Sequence, residues 1–183
     1  MKTIDELLTK LNACEEAQDW AQGKTFFEVY TTCERGEWLC WLFAKTNPED
    51  VQLLTLVKGH QANTVRHLMI DERSREAVDT AIAFGEGRAT KEELRNAEDA
   101  ADAAYFAAAA IYAACARAAF ASACACASGA SYAAAAASAS ARAYSSYAAE
   151  AADDAAVEAA EQANQKLTAD IFRKYISIEK FKI

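Results

Sequence analysis

Between Ala101 and Glu150, twenty-seven of fifty residues are alanine, with five tyrosines, three cysteines and no proline or threonine. Alanine is the best helix former, because it loses no side-chain entropy and hides no polar group. Its methyl group buries little apolar area, so a long alanine helix gains stability only by packing unusually close to a neighbour. The tract therefore restricts the chain to helices at close approach. Ser128-Gly129 is the only breaker between Gly87 and the C-terminus. It predicts a turn joining Lys91–Ala127 and Ala130–Gln165 into a long antiparallel hairpin, with one continuous helix as the alternative. A turn centred near Gly129 sets Arg117 level with Arg142, Tyr112 with Tyr147, and Cys115 with Tyr144. An ice-binding face is excluded, because such a face is often threonine-bearing and no threonine lies between Lys91 and Leu167.

The rest of the chain carries helix punctuation. Thr3-Ile4-Asp5-Glu6 is a capping box, and Ile4, Leu7, Leu8, Leu11 and Cys14 follow at helical spacing, predicting one helix to Trp20 before Gly23. Thr25-Phe26-Phe27-Glu28 opens a second helix, which runs to Cys33 and ends by Gly36. Glu37 to Lys45, apolar nearly all round, predicts a third at the centre of the core. Asn47-Pro48-Glu49-Asp50 reads as an N-cap with proline at the first helical position, opening a helix to about Met69 with Gly59 as a weak point. Asp71 opens a fifth helix, closed by Gly85 and Gly87, and Thr90-Lys91-Glu92-Glu93 launches the alanine tract. A last helix is expected over Leu167 to Ile176, followed by a basic tail. The fold expected is an all-α bundle of seven to eight helices in one domain, 1–183. Its parts are short helices over 1–88, the alanine-rich hairpin over 89–165, and the C-terminal helix and tail over 166–183.

The formal charge of −8 is uneven: −5 over 1–50, 0 over 51–90, −6 over 91–165 and +3 over 166–183. An acidic body argues against direct nucleic-acid binding, which needs a basic stripe, and suits a basic protein partner. Residues 1–10 take on acids and helical periodicity at once, so no signal peptide is expected and the expected location is cytoplasmic. Residues 118–141 carry no charge, but alanine, serine and Gly129 without basic or tryptophan flanks do not make a membrane span. The six cysteines sit in helical patterns without a CxxC pair and are expected as small buried hydrophobes.

Several constellations are candidates for function. Arg117 and Arg142 beside Tyr112, Tyr144 and Tyr147 would grip an anionic ligand through guanidinium forks and ring stacking, unless both arginines simply face solvent. Trp20, Trp38 and Trp41 around residues 33–37 are expected to be core; an exposed one would mark a binding hot spot. His60 and His67, seven apart on one helix face, lack the carboxylate spacing of a metal site. No phosphate-binding glycine loop or nucleophile elbow occurs, so no catalytic residue, cofactor or metal is expected.

Residues 12–20 (Asn12-Ala13-Cys14-Glu15-Glu16-Ala17-Gln18-Asp19-Trp20) and 33–42 (Cys33-Glu34-Arg35-Gly36-Glu37-Trp38-Leu39-Cys40-Trp41-Leu42) resemble the opening of the immunity-protein family of bacteria and phages. Residues 71–78 and 87–94, running into an alanine-rich tract, and Asp170-Ile171-Phe172-Arg173-Lys174-Tyr175 are similar to the same family. The resemblance implies a small cytosolic protein that neutralises a cognate toxin by binding it, and supplies no functional residues. Toxin contact is expected at the acidic residues of the two arms, Glu92, Glu93, Asp99, Asp102, Asp153 and Asp154. A phage anti-defence protein sequestering a small anionic nucleotide, with Arg117 and Arg142 as its ligands, is the alternative. A homo-oligomer pairing its alanine arms between chains is a third expectation.

Overall fold

The computed structural model describes residues 4–107 and 154–183. Among them eight α-helices and two 3-10 turns follow in order, with no strand. The helices are α1 (Ile4–Lys10), α2 (Glu15–Ala21), α3 (Phe26–Thr32), α4 (Gly36–Thr46), α5 (Val51–Asn63), α6 (Glu72–Gly85), α7 (Lys91–Ala107) and α8 (Asp154–Tyr175). The 3-10 turns are Arg66–Leu68 and Ile178–Lys180. The all-α bundle expected from the sequence is the observed class. The turn at Ser128-Gly129 and the residue pairs set level across it lie outside the described residues, as does Thr3.

Local chemistry explains several boundaries. Thr25 and Glu28 form a reciprocal capping box on α3: the Glu28 N–H donates to Thr25 Oγ1, and the Thr25 N–H donates to Glu28 Oε2. Thr90 and Glu93 repeat it at α7, with the Thr90 N–H 2.7 Å from Glu93 Oε2. Asp71 caps α6 by accepting from the Arg73 N–H at 2.9 Å.

The single helix expected from Ile4 to Trp20 is instead two. Asn12 takes a left-handed conformation, φ 55°, and the Ala13 N–H reaches back to the Leu8 carbonyl while the Asn12 N–H reaches Thr9. That bond pair is a Schellman ending with asparagine in the place glycine usually takes. It stops α1 although the apolar spacing runs on through Leu11 and Cys14.

Asn47 is likewise not an N-cap. It is buried, and its Nδ2 donates to the Lys180 carbonyl at 2.7 Å and to Asp50 Oδ2 at 3.0 Å, while α5 begins only at Val51. The helix expected to reach Met69 ends at Asn63 and gives way to a 3-10 turn. The separate last helix expected from Leu167 is part of α8, because nothing between Asp154 and Tyr175 breaks the spiral.

One core gathers α1 to α4 around α8 and the C-terminal segment. Phe181 is its keystone, with ring centroids 5.0 Å from Phe26 and 5.2 Å from Phe43. The basic tail is therefore docked rather than loose. Tyr30 donates its hydroxyl to the Ile176 carbonyl at 2.9 Å, and Arg173 donates to the backbone carbonyls of Tyr30 and Cys33.

Glycines set the closest approaches. A Cβ on Gly59 would stand 2.8 Å from Ile82 Cγ1, so this glycine brings α5 against α6 and is not a weak point. Gly36 begins α4 instead of ending α3, and it lies against Thr168 of α8. On α7, Leu94 and Ala101 are buried with Ala77 and Ala81 of α6.

Candidate functional site: a tryptophan-walled cavity

A cavity of about 240 Å³ opens where α2 and α4 meet, floored by Leu8 of α1 and Val29 of α3. On α2, Ala17 and Ala21 are four apart and share a face with Trp20, so small side chains leave space beside a large one. On α4, Trp38, Trp41 and Leu42 recur at the same helical spacing and close the other wall. Trp20, Trp38 and Trp41 are half-buried, neither the sealed core nor the free surface that the sequence offers as alternatives. All three tryptophans of the chain line this one space.

Cations cover the outer side of the wall. Arg35 stacks over Trp38 with its guanidinium carbon 4.3 Å from the ring centroid, and Lys24 lies 3.7 Å from that of Trp20. Arg35 also bridges two carboxylates, reaching Glu37 Oε1 at 2.7 Å and Glu16 Oε1 at 2.5 Å. One guanidinium thus serves two carboxylates, and the trio carries a net negative charge.

Glu37 is the residue that sequence reasoning misses. It is 8% exposed, it lines the cavity, and its Oε2 is buried without a hydrogen-bond partner. Leaving such an atom unsatisfied costs about 1–3 kcal/mol, and more when it is charged. Of the four orphaned buried side-chain atoms among the described residues, it is the only carboxylate oxygen and the only one on a residue that lines this cavity. In sequence it stands only as the first residue of the apolar helix expected from Glu37 to Lys45. A carboxylate inside an apolar run, two residues after an arginine, is the available signal.

The three described cysteines divide, and Cys115, Cys124 and Cys126 lie outside the described residues. Cys33 and Cys40 are buried as expected, but Cys14 is exposed at the edge of the cavity. Burial pushes the Cys33 thiol up to about 11, and it pushes Cys40 up to about 12 against a hydrogen bond with Gln61. Neither is a nucleophile near neutral pH. His60 stacks on Tyr175 at 4.6 Å, and burial together with Lys174 lowers its pKa. His67 lies on the 3-10 turn, not on the helix of His60. No group of three metal-ligating side chains forms among the described residues.

The residues expected to meet a toxin are only partly brought together. On α7, Glu92 and Asp99 are exposed and Asp102 is half-buried, and none has a cationic partner among the described residues. Glu93 is committed to its capping box, whose backbone and hydroxyl hydrogen bonds from Thr90 lower its pKa. Asp154 begins α8, which packs on α4 and α5, whereas α7 packs on α6. Asp153, Arg117, Arg142, Tyr112, Tyr144 and Tyr147 lie outside the described residues. No described helix is long and apolar enough to cross a membrane.

This all-α fold with its aromatic cavity finds no match among known family models, curated proteins or solved structures.

Proposed function

We propose that this chain is a non-enzymatic binding protein of the immunity type, which neutralises a basic toxin by direct contact. The observation that carries it is the outward face of α7. Leu94 and Ala101 are buried against α6, while Glu92 and Asp99 fall within about 20° of each other on the opposite side. Five carboxylates against two cations over Lys91–Ala107 leave this helix strongly negative. Complementary charge of that kind speeds encounter with a basic partner and rejects wrong ones. The resemblance of residues 12–20, 33–42 and 71–78 to immunity proteins supports the same reading. Sequestration of an anionic nucleotide rests on Arg117 and Arg142, outside the described residues, and no described feature favours it.

Growth tests the proposal. Each protein encoded beside the chain's gene is induced in a bacterial host with and without the chain. The expected result is one neighbour whose toxicity the chain cancels, forming with it a complex that survives gel filtration. Toxicity relieved in no pairing overturns the proposal.

A further inference from the structure

We propose that the tryptophan-walled cavity is a binding site for a small arylalkylammonium ligand, its ring against the tryptophans and its ammonium on Glu37. This site is separate from the α7 surface and does not depend on the immunity reading.

Size sets the ligand class first. An apolar cavity of about 150 Å³ holds one benzene ring, so about 240 Å³ accommodates a ring with a short alkyl chain. The walls select for apolar, flat matter, since Trp20, Trp38 and Trp41 offer aromatic surface and Ala17 keeps the space open.

Glu37 then chooses the polar end. Its Oε1 is held by Arg35, and its buried Oε2 lacks a donor. Glu37 lines the cavity, and a ligand N–H that reaches Oε2 through a turn of its side chain completes the carboxylate's hydrogen bonding. The neighbouring guanidinium does not repel a cation, because Glu16 and Glu37 together outweigh Arg35. An anionic group at the same place would meet the Glu37 carboxylate, an acceptor, in place of a donor. Arg35 and Lys24 already stack on Trp38 and Trp20, so carboxylate pairing rather than cation–π contact places the ligand's charge.

The three tryptophans are the whole tryptophan content of the chain and all three line this cavity, so their emission reports its filling. The intact chain is titrated to about 10 mM with phenethylamine, 3-phenylpropionate, and a tripeptide beginning with phenylalanine. The expected result is a saturable emission shift with phenethylamine, at least about tenfold tighter than with 3-phenylpropionate. Glu37→Gln, which keeps the side-chain shape, is expected to erase that preference. Ala17→Phe, which fills the space from the α2 side, is expected to abolish binding with Glu37 intact, and decides the matter should Glu37→Gln not fold. Equal affinity for the anion, no saturable shift with the amine, or unchanged binding in folded Ala17→Phe overturns the proposal. Stronger binding of the tripeptide than of the amine overturns it too, by assigning the cavity to a protein N-terminus.

Discussion

Replacing Gly36 with alanine tests the contact that seats α4, and with it Glu37 and Trp38, on α8. An ideal Cβ at Gly36 would stand 2.5 Å from Thr168 Oγ1, 2.7 Å from its carbonyl carbon and 2.8 Å from its Cβ. Carbon atoms settle about 3.5–4.0 Å apart, so the deficit approaches 1 Å. One of these neighbours is backbone, which cannot rotate away. Forcing an extra methyl into a packed interface costs about 1–3 kcal/mol, and a backbone clash belongs near the top of that range. Alanine's higher helix propensity returns at most about 1 kcal/mol. The net loss is about 2 kcal/mol, equivalent to a fall in Tm of roughly 4–8 °C for a domain of this size.

Gly23→Ala is the control. Gly23 sits at φ 74° with nothing within 4 Å of where a methyl would stand, so alanine there meets backbone strain alone, about 1 kcal/mol. Thermal melts followed by helical circular dichroism compare the three proteins. A Gly36→Ala chain melting at or above wild type, or no lower than Gly23→Ala, refutes the close approach of α4 and α8.

Three further outcomes follow from the structure. In the folded protein His60 holds its proton less tightly than its usual value near 6.5, because of burial and then Lys174. The unfolded chain therefore takes up the proton first as pH falls, and stability declines below about pH 6.5; His60→Gln flattens that part of a urea-midpoint profile, and an unaltered slope contradicts it. Iodoacetamide on the native protein labels Cys14 well ahead of Cys33 and Cys40, read by peptide mass spectrometry, and equal labelling of Cys40 refutes its burial. Thr90→Ala removes the cap of α7 and lowers stability by about 1 kcal/mol in urea denaturation, where no change would deny the capping box.

How much of this is legible in the sequence depends on the range of the interaction. Thr25 with Glu28, Thr90 with Glu93 and Asp71 act within three residues, and their patterns announce the helices they start. Asn12 escapes notice because the apolar period continues through it, and the left-handed ending is a choice of backbone that composition permits without requiring. Asn47 misleads for the opposite reason. Its partner, the Lys180 carbonyl, lies 133 residues away, so no local pattern contains it. Gly59 and Gly36 look like interruptions, because a glycine's role in letting two helices touch is visible only once the second helix is in place.

The site is half legible. Three tryptophans within twenty-two residues mark the region, and helical spacing puts Trp38 and Trp41 on one face. What spacing cannot show is that alanines on α2 leave those rings facing space. Nor can it show that Glu37, flanked by Arg35 and Trp38, keeps one oxygen buried and unpaired.

The central claim is that α7 presents its outward carboxylates to a basic protein. Its most direct test is the Kd of the chain with the toxic neighbour that the growth assay identifies, measured from about 50 to 300 mM NaCl. For the wild-type chain the expected Kd rises about tenfold or more across that range, with a shallower rise for Glu92→Gln/Asp99→Asn. A wild-type Kd that does not change with salt contradicts it.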